Sequence, residues 1–338
     1  MFDVERKGNG EMRRMFFALL ASLALAGCGS DENTGSSTCQ ECLATGGSGG
    51  AAGGSAATGG AAGSSTGGAA GSATGGAGGV VLVPADVLVD VAWVQAHESA
   101  SDVQLVDARA QSAYDAGHLP GALHVDVQSL STTVNGVSNM LADASTVASL
   151  LITAGVDRGK TAVVYGANVD TSATRLFWAL DYHGQPELRL LDGGYAGWVA
   201  GSGATETGSA AVTPSSYPAT GLVDARRVDL GWMLAHYADS GVVLIDARTS
   251  QEFAAGHIPG ALNVDSQSNL SSGALASTSA LTALYANVPA DKTVVTYCQS
   301  GSRASIAYLA LRRLGYPDLR LYDGSWAEWG AQPNTPKE

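Results

Sequence analysis

Between residues 83 and 330 the apolar positions follow two alternating patterns. Short, largely apolar runs occupy 103–106, 163–165 and 188–191, and again 242–245, 294–297 and 319–322, and four of the six are rich in β-branched side chains. Apolar runs of this length, bounded by turn residues, predict strands buried on both faces. Between them the spacing turns helical: Ile306, Leu309, Ala310 and Leu314 fall on one helical face. Gly315 stands where a C-cap glycine would, and Pro317 follows, so a helix is predicted over 305–314. Strands alternating with helices predict an α/β fold of mainly parallel sheets, flanked by helices on both faces. Ligands in such sheets bind beyond the carboxyl ends of the strands.

The pattern occurs twice. Leu105-Val106-Asp107-Ala108-Arg109 returns as Leu244-Ile245-Asp246-Ala247-Arg248. Gly117-His118-Leu119-Pro120-Gly121-Ala122 returns as Gly256-His257-Ile258-Pro259-Gly260-Ala261, at the same offset of 139 residues. Asp192-Gly193-Gly194 and Trp198 match Asp323-Gly324-Ser325 and Trp329 at an offset of 131, so the first half is longer by 8 residues in its middle. Two domains are expected, at 80–202 and 223–334, joined by a Gly/Ala/Ser/Thr/Pro-rich linker at 203–222. The composition shift toward that linker begins at Tyr195.

Composition changes the picture at the N-terminus. Many of the 44 glycines lie in 44–79, where Gly, Ala, Ser and Thr alone occur. Such a stretch cannot form a core, so 29–79 is expected to be a flexible tether. Before it, Arg13 and Arg14 precede an apolar run that closes on Leu25-Ala26-Gly27-Cys28. The run is too short to span a bilayer and fits a signal-peptide core. Residues 1–28 therefore read as an export signal, with Met12 as an alternative start. Leu-Ala-Gly-Cys resembles the bacterial lipobox, which implies lipidation of Cys28 and an exported, lipid-anchored protein of the periplasm or outer membrane. That anchor is the expected membrane contact. Cys39-Gln40-Glu41-Cys42 lacks the context of a redox or metal motif and is expected to close a local disulfide. The net charge of −13 argues against nucleic acid as a partner.

The candidate chemistry sits at Cys298, where the β-branched run Val294-Val295-Thr296-Tyr297 ends. Gln299, Ser300, Gly301, Ser302 and Arg303 follow, and then the helical pattern begins. A thiol placed among loop amides and before a helix N-terminus is set up to ionise and act as a nucleophile. No other cysteine lies between residues 43 and 338, so neither a disulfide nor a sulfur-based metal site is indicated, and no cofactor is expected. Gly301 lets the loop curl, the loop amides can hold an anionic sulfur, and the planar fork of Arg303 suits an oxyanion.

Asp-Ala-Arg, Gly-His-Ile-Pro-Gly-Ala, Cys-x-x-Gly-x-Arg and Tyr-Asp-Gly-Ser-Trp-x-Glu-Trp together resemble the tandem-domain rhodanese sulfurtransferases. The resemblance covers 83–330 and implies two rhodanese-like domains, of which the second is catalytic. At the 131 offset Cys298 falls on Ala167 and Arg303 on Ser172, so the first half lacks the nucleophile and its arginine. It is expected to form one wall of the cleft, with Arg109 and Arg175 as residues that could reach it. The resemblance implies transfer of sulfane sulfur from thiosulfate, through a Cys298 persulfide, to a thiophilic acceptor such as cyanide or a thiol. Substrate contacts would come from Arg303, Gln299, Ser300, Gly301 and Ser302. Asp246 would brace the loop, while Arg248 would pair within the fold. Glu252 stands where some members carry an arginine. His257 recurs as His118 in the half without the cysteine, so it is expected to be structural.

Three alternatives stand beside this reading. Cysteine-dependent phosphatases use Cys-x5-Arg, whereas Cys298 to Arg303 is Cys-x4-Arg, a tighter cradle. Members that prefer 3-mercaptopyruvate resemble Cys-Gly-Ser-Gly-Val-Thr, from which Gln299, Ser302 and Arg303 depart. A non-catalytic, membrane-tethered persulfide-binding or sensor module is the third.

Overall fold

The computed structural model describes residues 82–209 and 211–338. Cys28, Cys39 and Cys42, and with them the stretches expected to be an export signal (1–28) and a tether (29–79), lie outside the described residues.

The first half carries β1 (Leu88–Val89), α1 (Val91–His97), β2 (Val103–Asp107), α2 (Gln111–Ala116), β3 (Leu123–His124), β4 (Ser131–Val134), β5 (Val137–Leu141), α3 (Ala144–Thr153), β6 (Thr161–Tyr165), α4 (Thr171–Tyr182), β7 (Leu188–Leu191) and α5 (Gly194–Ala200). The second half repeats the series: β8 (Arg227–Val228), α6 (Leu230–His236), β9 (Val242–Asp246), α7 (Ser250–Ala254), β10 (Leu262–Asn263), β11 (Leu270–Ser271), β12 (Ala274–Leu275), α8 (Thr278–Leu284), β13 (Thr293–Tyr297), α9 (Ser302–Leu314), β14 (Leu319–Tyr322) and α10 (Ser325–Trp329). Each half holds a parallel five-stranded sheet, ordered β1-β7-β6-β2-β3 and β10-β9-β13-β14-β8. The pairs β4/β5 and β11/β12 form separate antiparallel hairpins.

Every predicted strand is present. The central ones are buried on both faces, as Val163, Val164, Val294 and Val295 show. Helices α4 and α9 are buried along most of their length, because each covers its own sheet and also packs on the other. One apolar core therefore runs through both halves, from Val164 and Leu176 to Val294 and Leu309. Two smaller clusters lie elsewhere, around Trp198 in the first half and Trp329 in the second. Polar bonds cross the seam as well: Thr174 Oγ1 lies 2.8 Å from Ser305 Oγ, and Tyr308 donates to Asp181 at 2.5 Å. The hairpins are exchanged. Asp323 of the second half accepts the Leu141 amide of β5, and Asp192 of the first half accepts the Leu275 amide of β12, both at 2.9 Å.

Two details differ from the sequence expectation. Helix α9 begins at Ser302, three residues before the predicted start. Its N-cap is Gly301, at φ 83°, and carries no capping side chain, so the ordinary start signal is missing. Its C-cap is Gly315 in the left-handed region, as expected. Early in the stretch that begins at Tyr195, residues up to Ala200 belong to α5, which buries Trp198. Farther on, the chain lies along the first half: Glu206 exchanges backbone bonds with His118, Tyr217 is buried, and Arg158 holds the Thr220 and Gly221 carbonyls.

Candidate active site

Cys298 follows the last residue of β13 and is 1% exposed, a free thiol. Its amide donates to Ser325 Oγ at 3.1 Å, and that hydroxyl donates to the Tyr322 carbonyl at 2.9 Å. Ser325 opens α10 at φ 51°. The next two amides of α10 collect the loop's carbonyls: Trp326 N–H donates to Cys298 O and Ala327 N–H to Gln299 O, each at 2.9 Å. A trans peptide points its C=O and N–H in opposite directions. Pinning these two carbonyls toward α10 therefore turns the Gln299 and Ser300 amides to the other side. Among the described residues none supplies an acceptor to the amides of residues 299–304. N–H groups left this way, on residues that are buried or half-buried from Ser300 onward, form an anion site, reinforced by the start of the 13-residue helix α9.

The remaining site residues divide. Gln299 is exposed, whereas Ser300 and Ser302 are half-buried. Arg303 gives both terminal nitrogens to Glu252, at 2.6 and 2.7 Å. Glu252 is also tied to Thr249 by a capping box at the start of α7. The Arg303 hydrogen bonds are the main cause that pulls the Glu252 carboxyl down to about 2. In turn Glu252 holds the guanidinium charged, with a smaller contribution from Cys298. The fork that the sequence assigned to an incoming anion is thus engaged by a carboxylate.

Asp246 corrects its expected role. Its carboxylate receives the Arg248 amide and guanidinium at 2.6–3.0 Å, and no group of the Cys298 loop. Arg248 then reaches the Gly256 carbonyl and lies over Trp326, 4.7 Å from the ring. The pair is structural, since Asp107, Arg109 and the Gly117 carbonyl repeat it in the half without the cysteine. Arg109 accordingly stays within its own half. His257 stacks on Phe253 and bonds the Phe253 carbonyl, as His118 does with Tyr114, which fits a structural histidine in both halves. Among the described residues no group of three or more His, Cys, Asp or Glu side chains could hold a metal ion.

Two residues reach the loop from the other half: Asn139, which sequence reasoning missed, and Arg175, one of the two arginines it put forward. Asn139, on β5, donates to Ser300 O and to Ser302 Oγ, both at 2.8 Å. Arg175, on α4, binds Asp323 Oδ1 at 2.5 Å, and its Nη1 lies where a Cβ on Gly301 would come within 2.7 Å. Arg227 also binds Asp323, at 3.0 Å. The available signal was the duplication of Asp192 as Asp323; nothing in the sequence marks Asn139.

Residues 90–201 and 229–332 both match the family described as Rhodanese-like domain. Over 269 residues the chain is 32% identical to the 3-mercaptopyruvate sulfurtransferase of Escherichia coli, covering 73% of this chain and 95% of that one. Over 274 residues it is 34% identical to the thiosulfate sulfurtransferase of Corynebacterium glutamicum, covering 74% and 90%. The crystal structure of the Escherichia coli 3-mercaptopyruvate sulfotransferase SseA superposes with a TM-score of 0.67 at 30% identity, covering 72% of this chain and 99% of that one. Duplicated sheets, a cysteine at the end of a central strand and these matches lead to one conclusion: the chain belongs to the rhodanese family.

Proposed function

We propose that the protein is a sulfurtransferase that takes sulfane sulfur from thiosulfate onto Cys298 and passes it to cyanide or a thiol. The observation that carries this reading is Cys298 at the end of β13, followed by six amides without an acceptor among the described residues. The Cys298 thiolate attacks the outer sulfur of thiosulfate. The S–S bond of the donor breaks, sulfite leaves with the bonding pair, and a persulfide forms. The acceptor then attacks the terminal sulfur, the new S–S bond breaks, and the thiolate returns. The loop amides would stabilise the thiolate and the outer sulfur, and ping-pong kinetics follow from the two steps. Cyanolysis by the purified chain tests it: thiocyanate is expected from the native protein and none from Cys298→Ser.

A second donor, 3-mercaptopyruvate, is favoured by one observation. Glu252 cancels the Arg303 charge, which weakens the case for a dianion. The ratio of kcat/KM for the two donors decides between them. We further propose export and lipid attachment at Cys28, on the strength of the Leu-Ala-Gly-Cys motif after an apolar run. Blocking lipoprotein processing in cells should leave a larger precursor; an unchanged mass would refute attachment.

A further inference from the structure

Two of the three carbonyls that follow Cys298 into the loop are pinned by α10 of the same half. The third, that of Ser300, is pinned from outside it. Asn139 Nδ2 donates to Ser300 O and to Ser302 Oγ at 2.8 Å, across 161 and 163 residues of sequence. Its amide is oriented by Ser131, whose hydroxyl donates to Asn139 Oδ1 at 3.2 Å. Its backbone is held too. The Asn139 carbonyl accepts from Arg175 Nη2 at 3.0 Å, and Arg175 and the Leu141 amide share the Asp323 carboxylate. Asn139 sits at φ 65°, a left-handed conformation that asparagine tolerates better than most non-glycine residues. Arg175 is nine-tenths or more buried, and its Nη1 and Nε have no hydrogen-bond partner. That Nη1 faces Gly301.

We propose that Asn139, supplied by the half without the cysteine, is a positioning residue of the Cys298 loop: by holding the Ser300 carbonyl it turns the Gly301 amide toward the transferred sulfur. The reason is the planarity of the 300–301 peptide, whose N–H must point away from Asn139 when its C=O points toward it. The first half is then a working part of the site rather than a wall. This rests on the Cys298 reading given above.

Two substitutions in the full chain separate the donor from the space it fills. Asn139→Gly keeps the left-handed backbone without strain and removes the amide. Asn139→Asp keeps the shape but turns the donor into an acceptor facing the Ser300 carbonyl. With thiosulfate and cyanide, kcat should fall about tenfold in Asn139→Gly and further in Asn139→Asp, with KM within about twofold. Wild-type kcat in Asn139→Asp, or a change confined to KM, overturns the proposal. Should neither variant fold, Ser131→Ala removes the hydroxyl that orients the Asn139 amide toward the Ser300 carbonyl. It must then lower kcat at constant KM, and an unaltered kcat overturns the proposal. An active Cys298→Ser would instead sink the Cys298 reading. Asn139 variants with wild-type kcat beside a dead Cys298→Ser sink the positioning role alone.

Discussion

The loop after β6 and the loop after β13 occupy the same place in the two halves and are solved differently. In the first, the Asp170 carboxylate turns back into its own loop. It accepts the amides of Ala167, Asn168, Ser172 and Ala173 at 2.9–3.3 Å. In the second, the matching position is Gly301, and the amides of residues 299–304 find no acceptor among the described residues. The cysteine-free half thus carries its own anion where the other half is left to bind one. In the half without the nucleophile the amide cradle is filled, which removes a desolvation cost that only an incoming ligand would otherwise offset.

The largest effect expected from this contrast is loss of the nucleophile. Cys298→Ser should abolish thiocyanate formation, measured with the full chain; residual turnover would place the chemistry elsewhere. Next comes importing the plug. Gly301→Asp should cut kcat by about a hundredfold, on the scale of losing oxyanion donors. It should also lower the melting temperature, because φ is 83° and a Cβ would lie 2.7 Å from Arg175. Full activity in this variant would break the comparison between the loops.

Freeing the Arg303 fork is a smaller change, and in the other direction. Glu252→Gln should raise kcat/KM for thiosulfate about fivefold by returning a charged fork to a dianionic donor. A fall would show that Glu252 is needed to hold the arginine in place. The same pair sets a pH dependence. Because the folded Glu252 carboxyl lies near 2, below its ordinary 4.5, its stabilisation is complete above that ordinary value. It is lost as pH falls from 4.5 toward 2. The difference in melting temperature between the native chain and Glu252→Gln should shrink over that window, and a constant difference would refute the linkage.

The smallest effect on activity belongs to the filled loop. Asp170→Ala should cost about 1–2 kcal/mol, the usual loss for a helix N-cap, and leave sulfur transfer unchanged. Chemical denaturation and cyanolysis on one preparation check both halves of that statement.

Much of this contrast was legible beforehand. Ala167 and Ser172 stand where Cys298 and Arg303 do, and repeated apolar runs marked six of the fourteen described strands. What could not be read is contact made across the seam. The bonds from Asn139 to Ser300 and from Arg175 to Asp323 span 161 and 148 residues, and no local pattern encodes them. Nor did the start of α9 show, because its cap is a glycine chosen for its backbone rather than a polar side chain. The Glu252–Arg303 pair was half visible. The sequence set a carboxylate where a cation was expected, but only the fold brings it onto the fork.

The most direct test is the mass of the Cys298 peptide after the full chain has met thiosulfate. A gain of one sulfur atom on that peptide, removed by cyanide with release of thiocyanate, is the predicted result. An unmodified Cys298 in a chain that still forms thiocyanate would contradict the account.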